Sequence, residues 1–178
     1  MVYPPSILVA MATPIRGVDP AQNEFLAGLE AKAKKPNAFF RAMANRPDAL
    51  QGFVPLYGAV MGPGGVERRL KELVYLTCAY ANRCAYCVAA HQASGRKAGI
   101  TDDEMKALQA GEDQAFSTAE RAAIAYARDL TITATAEDSR ETLFTHFSEE
   151  QIVEITLVAA MANFTNRFNN GLRILPEA

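Results

Sequence analysis

A chain of 178 residues with 49% hydrophobic content can bury one good core and lies near the usual single-domain size. Eighteen basic against twenty acidic residues leave a formal net charge of -2, and no run of Lys or Arg could track a phosphate backbone, so no nucleic acid is expected as a partner. Three cysteines, an odd count, do not fit a secreted disulfide framework, and the apolar run "ITLVAAMA" is too short to span a bilayer; a soluble, cytoplasmic chain without a membrane partner is expected.

The N-terminal stretch "SILVAMA" has no basic flank and is followed by Pro14 rather than a small-residue cleavage site, so residues 1–19 read as an extended arm. Helical spacing begins with "PAQNEFLAGLEAKA" and continues through "NAFFRAMANRPDALQGFVPLYGAVM", punctuated by Pro36 and Pro47. "GPGG" at Gly62 to Gly65 breaks the pattern, and "VERRLKELVYLTCAYA" resumes it. Further on, "TDDE" from Thr101, "STAE" from Ser117 and "SEEQ" from Ser148 each match a capping box, predicting helices that start near 102, 118 and 149. No alternating strand and no repeat of fixed period is present, so the expected fold is all-α: one helical domain over 20–172 and a short tail over 173–178.

The segment from Ile152 to Ala162 is apolar nearly all round, as in a helix buried on most sides. After it, Asn163, Asn166, Arg167 and Asn170 form a polar seam suited to a contact between helices or subunits. An oligomer is expected on these grounds. Glu154 is expected to ion-pair with Arg167 or another arginine, or to lie at an exposed helix edge. His146 reads as a capping or surface histidine at a helix end.

All three cysteines and one of the two histidines fall within the twenty residues "ELVYLTCAYANRCAYCVAAH", from Glu72 to His91. On one helix, Cys84, Cys87 and His91 stand at i, i+3 and i+7 and share a face. Cysteines at that spacing can cycle between dithiol and disulfide, and an imidazole four residues on can take the thiol proton. Arg83 and the orphan amides of a helix beginning near Asn82 would add positive potential. In one unbroken helix Glu72 would lie roughly 18 Å from Cys84; either the chain turns back near Asn82 or Glu72 plays no part.

The pattern Glu72, Cys84-Ala85-Tyr86-Cys87, His91, with "STAERAAIAYARDLT" and "FSEEQIVEITLVAAMANFTNRFNNGL" downstream, resembles the alkylhydroperoxidase D-like branch of the carboxymuconolactone decarboxylase superfamily. The resemblance implies an all-helical protomer, a homo-oligomer (dimer, trimer or hexamer) and thiol-dependent peroxide reduction with no cofactor and no metal. Carried over by position, it implies Cys87 as the peroxidatic thiol, Cys84 as the resolving one, and Glu72 and His91 as the proton relay. The implied partners are a peroxide substrate and an external dithiol, thioredoxin-like or lipoyl, as reductant. Family members often carry a histidine just before the second cysteine; Tyr86 stands there instead, and a phenol does not shuttle protons at neutral pH as imidazole does.

Three other readings compete. One is the lactone decarboxylase chemistry of the superfamily, whose members generally lack the Cys-x-x-Cys pair. Another is a non-enzymatic helical oligomer with a redox-sensitive disulfide. The third is a zinc site, for which Cys78, Cys84, Cys87 and His91 would give a Cys3His set; on a continuous helix Cys78 stands about 120° off the shared face, and it reads better as a small core hydrophobe.

Overall fold

Helix boundaries follow the punctuation of the sequence. A computed structural model describes residues 15–176, and among them there is no strand. A short 3-10 turn at Pro20–Gln22 leads into α1 (Glu24–Ala33), α2 (Ala38–Met43) and α3 (Pro47–Met61), followed by α4 (Arg68–Ala81), α5 (Ala85–Lys97) and α6 (Asp102–Ala110). The chain ends with α7 (Thr118–Thr133), α8 (Glu137–Phe144) and α9 (Glu149–Leu172). The capping boxes expected at Thr101, Ser117 and Ser148 all form, each pairing a hydroxyl with the N3 amide and the N3 side chain with the cap amide. Asn23 and Asn37 cap α1 and α2 in the same way, through a side-chain oxygen. Most of the expected N-terminal arm, residues 1–14, lies outside the described residues, as do the last two residues of the tail.

The middle of the bundle is α4, which packs against α5, α7 and α9. Every residue from Lys71 to Ala79 is buried, so this helix has no solvent face over more than two turns. On one side Val74, Tyr75 and Cys78 join the main core with residues of α2, α3, α5, α7 and α9. On the other, Leu73 and Leu76 pack with Ile100, Met105, Leu108, Phe116 and Ile124 in a second cluster against α6 and α7.

A buried cation sits at the start of α4. Lys71 Nζ donates to Val60 O at 3.0 Å and to Gly62 O at 2.6 Å, and pairs with the Glu154 carboxylate. Glu154 also accepts from the Val66 amide at 3.0 Å, so the loop after α3 is clamped onto α9. Glu154 therefore does pair, but with Lys71 rather than the expected arginine, because α4 and not the far end of α9 lies beside it. A Cβ at Gly64 would lie 2.1 Å from Glu154 Oε1, so a larger residue there would displace that carboxylate.

One side of α9 faces the core through Ile155, Val158, Ala159 and Ala162. Its opposite side departs from the expectation of a helix buried on most sides: Val153, Leu157 and Phe164 are exposed. The asparagine seam makes a contact between helices. Asn82 Nδ2 donates to Asn163 Oδ1 at 2.9 Å and to Asn166 Oδ1 at 3.0 Å, and Asn170 Nδ2 donates to Asn82 O at 2.8 Å. This seam holds the turn between α4 and α5 against α9.

Candidate functional site

The site is built on that turn. Helix α4 stops at Ala81, Asn82 is its C-cap, and Arg83 takes a left-handed φ of 53° that turns the chain back. Cys84 follows in extended conformation as the N-cap of α5, and its sulfur accepts the Cys87 amide at 3.3 Å. The sequence expectation of one helical face holding Cys84, Cys87 and His91 is corrected here: α5 begins at Ala85 rather than near Asn82, and only Cys87 and His91 share a face, one turn apart. Cys84 reaches Cys87 from the cap. Their Cα atoms are 5.3 Å apart and the sulfurs are joined in a disulfide.

The reversal decides the question left open for Glu72. With α5 folded beside α4, His91 Nδ1 lies 2.7 Å from Glu72 Oε2. A carboxylate can only accept, so Nδ1 carries the proton and Nε2 is left as the basic nitrogen. The other oxygen of Glu72, Oε1, accepts from Arg68 Nε at 2.8 Å. Glu72 has no exposed surface and His91 is 6% exposed. A buried carboxylate between a guanidinium and an imidazole is a paired charge, and it fixes the orientation of the ring.

Tyr75 stacks on the His91 ring with centroids 3.4 Å apart and 12° between the planes. Its hydroxyl is bonded to Thr165 Oγ1 on α9. Burial pushes the Tyr75 phenol well above its ordinary value, so it stays neutral and serves as a flat wall. Tyr57 is pushed upward by the same cause. Tyr86 donates to Asn37 Oδ1 at 3.2 Å, which ties the first turn of α5 to the cap of α2.

These groups border a cavity of about 160 Å³. Cys87 and His91 line it together, and six aromatic rings form much of its wall: Phe39, Phe40, Phe53, Tyr57, Tyr75 and Tyr86. Asn169 closes it from α9. The structure thus brings together the four residues singled out from the sequence, Glu72, Cys84, Cys87 and His91.

Cys78 and His146 stand apart from them. The Cys78 thiol is fully buried between α7 and α9, 3.8 Å from Ala127 O and 3.9 Å from Ala159 O. His146 follows α8, its ring edge against Phe147. Among the described residues no group of three or more His, Cys, Asp or Glu side chains is placed to hold a metal ion. Sequence reading missed Arg68, Tyr75 and Asn169. Arg68 and Tyr75 carried a signal, standing four residues before and three after Glu72 on one helix face; Asn169 continues the step of three from Asn163 and Asn166.

Comparison with known proteins places this geometry in a family. The profile of the carboxymuconolactone decarboxylase family matches residues 47–129, from the start of α3 to near the end of α7, a span that holds all four residues. A solved structure from Agrobacterium tumefaciens, a protein of unknown function and candidate antioxidant-defence protein AhpD, is 28% identical with a TM-score of 0.70, covering 76% of this chain and 95% of that one. Over residues 47–129 the chain matches the carboxymuconolactone decarboxylase family, and it is AhpD-like. The AhpD-like chain shares its fold with an alkylhydroperoxidase AhpD core protein, an uncharacterised peroxidase-related protein from Ralstonia eutropha JMP134, at a TM-score of 0.78 and 23% identity over 93% of this chain and 94% of that one. It also shares its fold with the debrominase Bmp8, at a TM-score of 0.82 and 21% identity over 95% of both chains.

Proposed function

We propose that this protein is a thiol-dependent hydroperoxide reductase that cycles Cys84 and Cys87 between dithiol and disulfide. The observation that carries the reading is Cys87, joined to Cys84, at the wall of a cavity also lined by an imidazole that a buried carboxylate orients. The family match supports enzymatic chemistry of this general kind.

In the reduced protein, His91 Nε2 takes the Cys87 proton and Glu72 balances the imidazolium charge. The thiolate attacks the terminal oxygen of the hydroperoxide. The O–O bond breaks, a sulfenic acid forms on Cys87, and the departing alkoxide takes the proton from His91 and leaves as an alcohol. Cys84 then condenses with the sulfenic acid, forming the disulfide and releasing water. An external dithiol reduces the pair by exchange and is itself oxidised. Tyr86 takes no part in proton transfer on this reading; its phenol fixes α5 against α2.

The test is a count of free thiols in the reduced protein before and after one equivalent of cumene hydroperoxide, with the alcohol product measured. Two thiols should disappear with one alcohol formed, a dithiol should restore them, and Cys87→Ser should consume no peroxide. Cys84→Ser should instead stop at a sulfenic acid that dimedone traps. Full peroxide turnover by Cys87→Ser would remove Cys87 from its assigned place.

One observation favours a second reading. The aromatic wall around Cys87 suits a flat apolar ring, and a cysteine-to-alanine variant of Bmp8 has been crystallised with 2,3,4-tribromopyrrole. The same dithiol could reduce an aryl bromide, yielding the arene, bromide, a proton and the disulfide. Bromide release matched to the loss of two thiols, with cumene hydroperoxide left intact, would select this reading.

We further infer that protomers associate through the apolar side of α3 and α9. Leu56, Val153, Leu157 and Phe164 are large apolar side chains left in solvent there.

A further inference from the structure

Asn169 closes the cavity from α9, and its carboxamide is used on one side only. The residue is 2% exposed. Its Nδ2 donates to Cys87 Sγ at 3.2 Å. Among the described residues its Oδ1 is buried with no hydrogen-bond partner, on a residue that lines the cavity. Leaving an amide oxygen dry and unpaired is unfavourable unless another group donates to it, so each such oxygen in a folded protein calls for a reason.

The rest of the asparagine seam supplies a contrast. Asn163 and Asn166 spend their oxygens on Asn82 Nδ2, and Asn170 spends its amide on Asn82 O. Those three hold the turn. Asn166 also keeps a buried Nδ2 without a partner among the described residues, but it does not border the cavity. Asn169 is thus the seam member that joins the attacking sulfur to an open acceptor.

We propose that Asn169 is a substrate-binding residue: its Oδ1 accepts the O–H of an organic hydroperoxide while its Nδ2 holds the Cys87 sulfur. The inference rests on the hydroperoxide reading given above. Its chemistry is specific to that class. The oxygen attacked by Cys87 is the one that bears the hydrogen, and this hydrogen stays on it when the O–O bond breaks. The bond to Oδ1 can therefore pass unbroken from the hydroperoxide to the S–O–H of the sulfenic acid, while the alkoxide leaves with the proton from His91. On the other side, an N–H aimed at sulfur favours the thiolate over the thiol. A ligand with no O–H or N–H at the attacked atom gains nothing from Oδ1 there.

Iodoacetamide is such a ligand for the comparison, because it needs the same thiolate but offers no hydroxyl to the attacking sulfur. Second-order rates of Cys87 with cumene hydroperoxide and with iodoacetamide would be measured for reduced wild type, Asn169→Ala and Asn169→Asp. A packing defect slows both reagents alike, so their ratio isolates the O–H contact. The ratio should fall ~10-fold in Asn169→Ala, as expected for one lost hydrogen bond in a dry site. In Asn169→Asp, which keeps an acceptor in the same place, it should stay within about threefold of wild type. The thiolate absorbance should appear at higher pH in both variants, and further up in Asn169→Asp, whose carboxylate repels the sulfur anion.

An unchanged ratio in Asn169→Ala, or a ~10-fold fall in Asn169→Asp, overturns the assignment of Oδ1 and leaves the hydroperoxide reading standing. Since Asn169→Asp is isosteric, it keeps the test readable if Asn169→Ala does not fold. Wild type that alkylates normally but consumes no hydroperoxide overturns the hydroperoxide reading, and this substrate assignment falls with it.

Discussion

Cys78 shows what the same side chain does without the site. It is fully buried among apolar neighbours, and burial pushes its thiol from an ordinary 9.0 up to about 11. It should resist alkylation at pH 8 in the folded protein, while reduced Cys87 is modified. The sign of its effect on stability follows from the raised value. Below about pH 9 the thiol is neutral whether the chain is folded or not, and its full contribution is present. Between about pH 9 and pH 11 the unfolded chain ionises first, so stability is lost as the pH rises. Tyr57 and Tyr75, also pushed up by burial, add losses of their own at high pH, so the comparison is with Cys78→Ala. Denaturant melts should show the advantage of wild type over that variant shrinking by on the order of 2 kcal/mol across this window. A constant difference would show that Cys78 does not titrate as its burial requires.

Among the helices, one polar fastening joins α4, α9 and the loop after α3. Replacing Lys71 by Met keeps the length of the side chain but leaves Glu154 with only the Val66 amide, and strands the carbonyls of Val60 and Gly62. A loss of about 3 kcal/mol in unfolding free energy is expected by thermal or denaturant melts, with part of it recovered when Glu154→Gln is added. A loss under about 0.5 kcal/mol, the scale of a surface substitution, would mean that the clamp adds little. This element also marks where sequence reading stops. Capping boxes at Thr101, Ser117 and Ser148 were legible because each is complete within four residues. The cysteine and histidine cluster was legible for the same reason, being local and chemically scarce. Cys84 as a helix cap was not, because sulfur is seldom a cap and the periodic pattern runs through it unbroken. Lys71 with Glu154 and Asn169 with Cys87 join distant parts of the chain, and nothing in either neighbourhood names the partner.

For the whole molecule, the exposed apolar side of α3 and α9 bears directly on its state in solution. Leu56, Leu157 and Phe164 are 54%, 47% and 52% exposed. If a second copy covers them, Leu157→Asp should place an unpaired charge in that contact and weaken association by about 2 kcal/mol or more. Sedimentation would then report a smaller species at equal concentration. An unchanged mass would put the subunit contact elsewhere. If the proposed dithiol cycle and its external carrier hold, the burial of the two site sulfurs limits the rate at which the protein can be used again. Cys84 has no exposed surface and Cys87 has 2%. A thiolate must come into line with the sulfur it attacks, and a bulky dithiol carrier cannot do so until the first turn of α5 lifts away. Regeneration then has a ceiling. With scarce carrier the rate climbs in proportion to its concentration; with abundant carrier it levels off at the frequency with which α5 opens. That plateau is a property of this chain alone, and every carrier bulky enough to need the opening should meet the same one.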